Sequence, residues 1–165
     1  MRVQDRDRVE RALSFPEDSA GGLMNTDLVT VRPQVTIEVV LRYLRMKGEL
    51  PKTTDSIYVV DSDDNFIGSV TLAALITSQP EQTIEEVLDK EVQAIPVFLP
   101  DDEVARLFER RDLISAPVVN DQGTLLGRIT IDDVVDVIIE DADHSLMSMA
   151  GLGENDDTFA PVFSS

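Results

Sequence analysis

The chain contains no cysteine and no tryptophan among its 165 residues, and it has a single histidine, His144. Without cysteine there is no disulfide, no thiolate nucleophile and no cysteine-ligated zinc site. One histidine does not build a histidine-rich transition-metal site, and its position at the end of an acidic segment does not suggest a Ser-His-Asp triad. We therefore expect that this chain is not an enzyme.

Long apolar runs and an excess of positive charge are also missing. No run approaches the roughly 18 apolar residues of a membrane-spanning helix, and no signal-peptide pattern is visible. The formal net charge is −18, with 32 acidic and 14 basic side chains. Such a charge argues against binding to nucleic acid or to an anionic lipid surface. We expect a soluble, acidic region on the cytoplasmic side of the cell.

The acidic residues are most concentrated near the C-terminus, where no lysine or arginine follows Arg128. Four of these residues recur at steps of three and four: Asp133, Asp136, Glu140 and Asp143. On a helix this spacing places them on one face, where each like-charged pair costs a few tenths of a kcal/mol. A face of this kind becomes favourable when a hard cation lies against it, since hard cations prefer oxygen ligands.

The same stripe is also typical of a solvated helix face with no ligand. In that interpretation His144, which follows it, is a solvated surface histidine. In either case the other side of the helix is predicted to be buried, and it carries Ile131, Val135, Ile138 and Ala142.

The chain repeats one order of signals. In each copy an amphipathic helix precedes a β-rich run, a polar turn, a second β-rich run containing glycine, and an apolar segment typical of a helix. Gly68 in the first copy corresponds to Gly127 in the second, 59 positions later. Upstream, Glu38-Val39 matches Glu103-Val104. The pattern predicts an α/β fold with two pseudo-symmetric lobes.

Two polar motifs have a structural interpretation beside a functional one. Residues 61–65 (DSDDN) suggest a calcium loop, but Phe66 and Leu72 stand where an EF-hand requires glycine and glutamate. We interpret this segment as a hairpin turn. The linker between the copies has a T-x-x-E capping box at Thr83, followed by a short predicted strand over residues 92–95.

Each copy resembles a cystathionine-β-synthase (CBS) domain, in which the pattern apolar-Gly-x-apolar-Ser/Thr-x-x-Asp leads from a strand into a helix. In the second copy this pattern is residues 126–133, LGRITIDD. Residues 15–24 (FPEDSAGGLM) are similar to the segment that precedes the CBS pair in the MgtE family of magnesium transporters. Residues 132–138 and 149–152 resemble the approach to that family's plug helix. The resemblance implies a tandem CBS (Bateman) module with two β-α-β-β-α lobes.

The resemblance also implies a division into four parts. Residues 1–18 are the tail of a preceding N-terminal domain, residues 19–80 the first CBS domain, residues 81–144 the second, and residues 145–165 the start of the plug-helix region. Residues 2–14 mix four arginines with three acids on a predicted helix. We expect the chain to be a piece of a longer membrane protein, with that protein's own N-terminal and transmembrane domains as partners.

In the MgtE family the cytosolic part is a homodimer that senses intracellular Mg²⁺. Bound ions screen acidic surfaces, the domains close, and the plug helices shut the pore. Transferred to this sequence, the resemblance implies the following Mg²⁺ ligands: Asp102, Glu103, Asp112, Asp133, Asp136, Glu140, Asp141 and Asp143. Mg²⁺ keeps several waters and is often held by only one or two carboxylates, which suits acids scattered over a surface.

An adenine-nucleotide sensor is the alternative function, because CBS pairs also bind ATP or AMP. The resemblance offers Tyr58, Thr130 and Asp133 as nucleotide ligands, with Asp133 holding the ribose. The first copy has Ala74 at the position of Asp133, so we do not expect a nucleotide in the first cleft. Thr130 and Asp133 also fit a capping box, which alone explains both. A dimerisation module without a ligand is a third possibility.

Overall fold

The computed structural model describes residues 15–140, which form two lobes with a three-stranded sheet in each. The strands are β1 (Thr30–Val31), β2 (Ser56–Val60), β3 (Phe66–Thr71), β4 (Ile95–Pro96), β5 (Ser115–Val119) and β6 (Leu125–Thr130). The helices are α1 (Ala20–Leu23), α2 (Ile37–Lys47), α3 (Leu72–Thr77), α4 (Ile84–Val87), α5 (Asp101–Arg111) and α6 (131–140). No helix within residues 15–140 is long and apolar enough to cross a membrane.

Several predicted features lie outside the described residues. They are the helix over residues 2–14, the plug-helix region 145–165, and Asp141, Ala142, Asp143 and His144.

Several helices are preceded by a residue with a side-chain hydroxyl group. This group accepts a hydrogen bond from an N–H group that has no backbone partner in the first turn of the helix. The side chain of Thr36 caps α2 and that of Thr71 caps α3. At α4 the predicted capping box is confirmed, since the Thr83 N–H donates to the Glu86 carboxylate at 3.3 Å. The helix α2 ends at Gly48, whose positive φ of 77° suits glycine.

The two sheets share one topology, which confirms the predicted α/β repeat. In each lobe the first strand pairs in parallel with the second, and the second pairs antiparallel with the third. Each antiparallel pair has an irregularity at the same place, at Val59/Val60 and at Val118/Val119. The two copies in the sequence therefore fold into two equivalent structures.

The segment that resembled a calcium loop is a hairpin turn, as predicted. The Asp61 carboxylate accepts the backbone N–H groups of Asp63 and Asn65 at 2.9 Å each. These bonds, that of Asn65 first, lower the pKa of Asp61. Asn120 makes the equivalent pair of bonds in the second lobe, at 3.0 and 2.9 Å. Both side chains thus stabilise their own turns.

The two hairpins join the lobes by exchanging equivalent hydrogen bonds. The Phe66 N–H donates to the Gly123 carbonyl at 2.9 Å, and the Leu125 N–H donates to the Asp64 carbonyl at 2.9 Å. Phe66 corresponds to Leu125 and Asp64 to Gly123 in the repeat, so the two bonds are equivalent. The buried side chains of Tyr58 and Leu125 belong to one apolar cluster at this joint.

Each lobe is completed by a segment that precedes the other lobe. The Ala20 N–H of α1 donates to the Leu99 carbonyl of the second lobe at 2.8 Å, and the Ile84 N–H of α4 donates to the Val35 carbonyl of the first at 2.9 Å. Accordingly, Ala20 and Met24 lie in the apolar core of the second lobe, and Ile84 lies in that of the first.

The two corresponding glycines lie where these segments cross the sheets. Asn25 exchanges two backbone hydrogen bonds with β6, at 2.8 and 2.9 Å, and Asp89 does the same with β3, at 2.8 and 3.1 Å. A Cβ atom at Gly127 would lie 2.6 Å from the Asn25 carbonyl oxygen, and one at Gly68 would lie 2.5 Å from that of Asp89. The glycine of the repeated pattern is therefore required by the close backbone approach.

One alignment and one strand boundary made from the sequence were wrong. Val40 is buried and corresponds to Val104, whereas Val39 is 46% exposed. The reason is that α2 and α5 begin at equivalent positions, after Thr36 and Pro100. The short strand expected over residues 92–95 is formed by Ile95–Pro96.

The buried face of α6 also differs from the prediction. Val135, expected to be buried, is 39% exposed, whereas Val134 is fully buried and Val137 nearly so. Thr130, the last residue of β6, is buried as well. Thr130, Val134 and Val137 are spaced by four and three residues, so the end of the strand determines which face of the helix turns inward.

We predict that Gly127→Ala destabilises the fold by about 1–3 kcal/mol, because backbone atoms cannot move away from the new methyl group as a side chain could. Gly123→Ala is a suitable control, since this glycine has a positive φ of 84° but open space around it. It should cost about 1–2 kcal/mol through backbone strain alone. Urea denaturation measures both values. A Gly127→Ala variant as stable as the parent would contradict the close approach.

Candidate functional site

A chain of hydrogen bonds crosses between the lobes at the start of β5. The Ser115 hydroxyl donates to the Asp55 carboxylate at 2.7 Å and lies 2.8 Å from the Tyr58 hydroxyl. A serine hydroxyl has only one proton, so Tyr58 is the donor to Ser115. Tyr58 is 2% exposed. Its phenol, expected to contact a nucleotide, is thus placed in the joint between the lobes.

Arg128 makes a second polar link between the lobes. It is almost fully buried on β6, and its two terminal nitrogens donate to the carbonyls of Thr53 at 2.8 Å and Lys52 at 2.6 Å. Thr53 has a positive φ of 56°, a conformation that is uncommon for threonine. Within residues 15–140, Arg128 Nε has no hydrogen-bond partner.

Asp133 is placed at the start of α6 with its carboxylate already bonded. Its Oδ2 atom accepts the Thr130 hydroxyl at 2.8 Å, the Thr130 N–H at 3.3 Å and the Asn25 amide at 3.2 Å. The bond from the Thr130 N–H is the one that the capping-box interpretation predicts. In the first lobe the Thr71 hydroxyl accepts from the backbone N–H of Ala74 at 3.0 Å, with no carboxylate at that position.

A cavity of about 180 Å³ lies in the second lobe beside these residues. Its apolar wall includes Ile95, Leu113 and Pro117, and Glu91 and Arg111 contribute opposite charges to its rim. Ser115 also lines it. Ser115 is paired across the sheet with Thr130, whose hydroxyl donates to Asp133, whereas Asp133 itself does not line the cavity. No sequence signal marked this cavity, because its walls come from the linker, α5 and β5.

The acidic residues predicted on α5 lie at its two ends. Asp102 and Glu103 are in the first turn, and Asp102 is bonded to Arg106 at 3.0 Å. Asp112 ends the helix in a left-handed conformation. Ten residues of helix separate Asp102 from Asp112 by about 15 Å, so they do not bind one ion together.

On α6, Asp136 and Glu140 are exposed, whereas Asp133 is only partly so. Within residues 15–140, no three acidic or histidine side chains are grouped so as to hold a metal ion. The predicted magnesium ligands that lie within residues 15–140 therefore do not form a closed site in one chain.

Large apolar side chains are exposed on the helices of both lobes. Val135 and Ile139 are exposed on α6, and Ile76 is exposed at the position on α3 that corresponds to Val135. Exposed side chains also occur along α2, at Val39, Tyr43 and Met46. Of these side chains, only Val135 was predicted to be buried.

Comparison with known proteins identifies the family of both lobes. The model of the CBS domain family matches residues 20–81 and 74–140. The magnesium transporter MgtE of Thermus thermophilus is 35% identical over 147 residues, which are 89% of this chain and 33% of the transporter. MgtE of Bacillus subtilis is 29% identical over 155 residues, 94% of this chain and 34% of that protein. The chain thus spans about a third of these relatives.

Solved structures agree with this comparison. The cytosolic domain of the Mg²⁺ channel MgtE in complex with ATP has a TM-score of 0.74 and 39% identity, over 80% of this chain and 53% of that one. The soluble part of a magnesium transporter has a TM-score of 0.77 and 27% identity, over 81% and 52%.

We predict that Tyr58→Phe weakens the dependence of stability on high pH. Burial raises the pKa of Tyr58 to about 12 from 10.0, so above pH 10 the unfolded chain loses this proton before the folded one does. The stability from this group is complete below pH 10 and is lost as the pH rises to 12, by at most about 3 kcal/mol.

The measurement is urea denaturation across that range. The variant should lose less stability than the parent, whereas Tyr43→Phe, which alters an exposed phenol, should behave as the parent does. Equal losses in the parent and in Tyr58→Phe would contradict the placement of this hydroxyl.

Proposed function

Because the chain belongs to the CBS domain family, as a tandem pair homologous to the cytosolic part of MgtE magnesium transporters, we propose that it is a Mg²⁺-sensing regulatory module. Its role is to gate transport from the cytoplasmic side of the membrane, where the N-terminal and transmembrane domains of the same protein are its partners. In this role the module binds Mg²⁺ and transmits the change to the transmembrane domain, and it does not act as an enzyme. The observation that carries this proposal is the surface of α6, which combines exposed acids with exposed apolar side chains.

The apolar side chains of α6 suit a homodimer. Val135 and Ile139 are four residues apart and lie on one side of the helix, and Ile76 is exposed at the equivalent site of the first lobe. Most homo-oligomers form around a two-fold axis, where a surface meets its own copy. When these helices pair, their apolar side chains are removed from water. Each Å² of apolar surface buried in this way stabilises the dimer by about 25 cal/mol.

The acids of α6 then make the dimer sensitive to Mg²⁺. Asp136 and Glu140 are also four residues apart, about 100° around the helix from Val135 and Ile139. Pairing the apolar sides brings the two sets of carboxylates towards each other, so that they repel unless a cation lies between them. Mg²⁺ tolerates few protein ligands, and ligands from two chains fit the lack of a three-ligand group within residues 15–140 of one chain.

The remaining predicted ligands are part of the same proposal. Asp102, Glu103 and Asp112 lie at the ends of α5. Asp133 is bonded in the cap of α6, and Asp141 and Asp143 lie outside the described residues. We propose that they supply further weak contacts to hydrated Mg²⁺ when the domains close.

We predict that millimolar Mg²⁺ raises the melting temperature of the parent dimer by about 2–4 °C, because a ligand of the native state stabilises it by mass action. The double variant Asp136→Asn/Glu140→Gln should lose most of this rise while its metal-free form stays as stable as the parent or becomes more so. Asp133 is left unchanged because it caps α6. Sedimentation with and without Mg²⁺ measures the dimer.

The matched control is Asp63→Asn/Asp121→Asn, which removes two exposed charges from the hairpin turns. It should keep the full Mg²⁺ effect. Sodium chloride should reproduce only part of the rise, since screening does not replace coordination. An unchanged Mg²⁺ effect in the α6 variant, or a monomer under both conditions, would contradict the proposal.

Adenine-nucleotide binding is a second candidate function, favoured by the cavity in the second lobe. Its apolar wall suits a base and Arg111 offers a cation to phosphates. We propose that Asp133, which is bonded to Thr130 opposite the cavity-lining Ser115, holds the ribose. The similar MgtE cytosolic domain was solved in complex with ATP. In this role Thr130 and Asp133 exchange part of their capping contact for the ligand, and the buried Tyr58 supports the cleft through Ser115.

We predict that Arg111→Gln weakens ATP binding about tenfold, as expected for the loss of a charged hydrogen bond. Arg110→Gln is the control, because it removes the neighbouring cation from a different surface and should leave the affinity unchanged. Isothermal titration calorimetry without Mg²⁺ separates this function from ion sensing. If both variants bind as the parent does, or if the parent does not bind ATP, the cavity is not a nucleotide site.

A further inference from the structure

An exposed aromatic side chain lies next to the first described residue. Phe98, between β4 and α5, is 65% exposed. Its ring meets that of Phe15 edge to face, with the centroids 5.4 Å apart and the planes at 72°. A large aromatic ring in water is costly when it is part of a wider apolar surface. The pair therefore presents an apolar surface at the point where the preceding segment joins the lobe.

Five carboxylates follow the two aromatic residues along the chain. They come from the segment after Phe15 and from the first turn of α5: Glu17, Asp18, Asp101, Asp102 and Glu103. The two groups are held together by the Asp101 N–H, which donates to the Asp18 carbonyl at 3.0 Å. Arg106 neutralises only Asp102, to which it is bonded. The surface around Phe98 thus combines an apolar centre with a negative border.

We call the surface formed by Phe15, Phe98 and the five carboxylates the Phe98 surface. We propose that it binds residues 1–14 of the same chain. This segment has four arginines and three acids in a chain whose net charge is −18. Its charge therefore complements the border of the surface. Arginine also stacks on aromatic faces.

The apolar residues of the segment fit the same arrangement. Ala12 and Leu13 follow Val9 by three and four residues, so a helix over this part would have one apolar side. Leu13 is two residues from Phe15 in the sequence, so the proposed docking sets this apolar side against the aromatic pair. Since the segment is joined directly to the surface, its effective concentration there is in the millimolar range or above. A separate partner of similar chemistry has to compete with that concentration.

Amide hydrogen exchange of residues 5–14 in the full chain tests this proposal. The experiment is run without divalent cations, because Asp102 and Glu103 are also proposed Mg²⁺ ligands, so its outcome is independent of ion sensing. In the parent at low salt these amides should exchange about tenfold more slowly than in Phe98→Ser. The matched control Ile114→Ser, which replaces another exposed apolar residue of the second lobe, should retain the protection.

The charges are tested separately. Glu17→Gln/Asp18→Asn should reduce the protection several-fold, and raising the salt to about 0.5 M should do the same in the parent, because exposed charges are screened within a few ångströms at that ionic strength. Asp63→Asn/Asp121→Asn, at the hairpin turns, should have no effect.

Equal exchange rates in the parent and in Phe98→Ser would overturn the proposal. So would a change of the sedimentation coefficient in Phe98→Ser, since this would mean that a second copy covers the surface. Unfolding midpoints of all variants are measured in the same samples. If residues 5–14 lose protection from exchange in Phe98→Ser while its unfolding midpoint is unchanged, docking is supported. If Phe98→Ser and Ile114→Ser both lose protection and both have a lowered unfolding midpoint, the proposal is overturned.

Discussion

The architecture depends on two backbone crossings. Asn25 pairs with β6 and Asp89 pairs with β3, and at each crossing a carbonyl oxygen passes over a glycine with no space for a Cβ atom. These contacts give each sheet its additional edge partner and bring an apolar side chain, Met24 or Leu88, against the glycine or into the lobe core. The hairpin joint and the polar links made by Ser115 and Arg128 add further contacts between the same two lobes.

The functional differences between the lobes arise where the repeat is broken. Pro117 lines the cavity of the second lobe, and the corresponding residue of the first lobe is Tyr58, whose larger side chain fills the joint. Asp133 likewise corresponds to Ala74. The two lobes thus have the same backbone hydrogen bonds but different side chains at these positions. This is possible because the hydrogen bonds between strands are made by the backbone, whatever the side chain. The second lobe has a cavity lined by Pro117 and the Asp133 carboxylate, where the first lobe has the Tyr58 side chain and Ala74.

The elements that could be predicted from the sequence are those with a local cause. The order of strands and helices, the hairpin at Asp61 and the capping box at Thr83 follow from nearby residues, and all are confirmed. The buried side of α6 depends on how β6 ends, which periodicity alone does not reveal. The bond between Tyr58 and Ser115 joins residues 57 positions apart, and Arg128 reads as an ordinary strand residue until its loop partners are known. The grouping of acids into ion sites stays a prediction, because residues 15–140 of one chain bring no three of them together.

The crossed segments have a consequence for the order in which the chain is made. A ribosome releases α1 before any part of the second lobe, so Ala20 and Met24 remain exposed to water until β5 and β6 have emerged. The first lobe in turn lacks Ile84 until the linker has been synthesised. Neither lobe has its full core while the chain is short, and the contacts that close both cores span large sequence separations, a feature associated with slow folding. A nascent chain of this type is therefore exposed to aggregation until its second half is available.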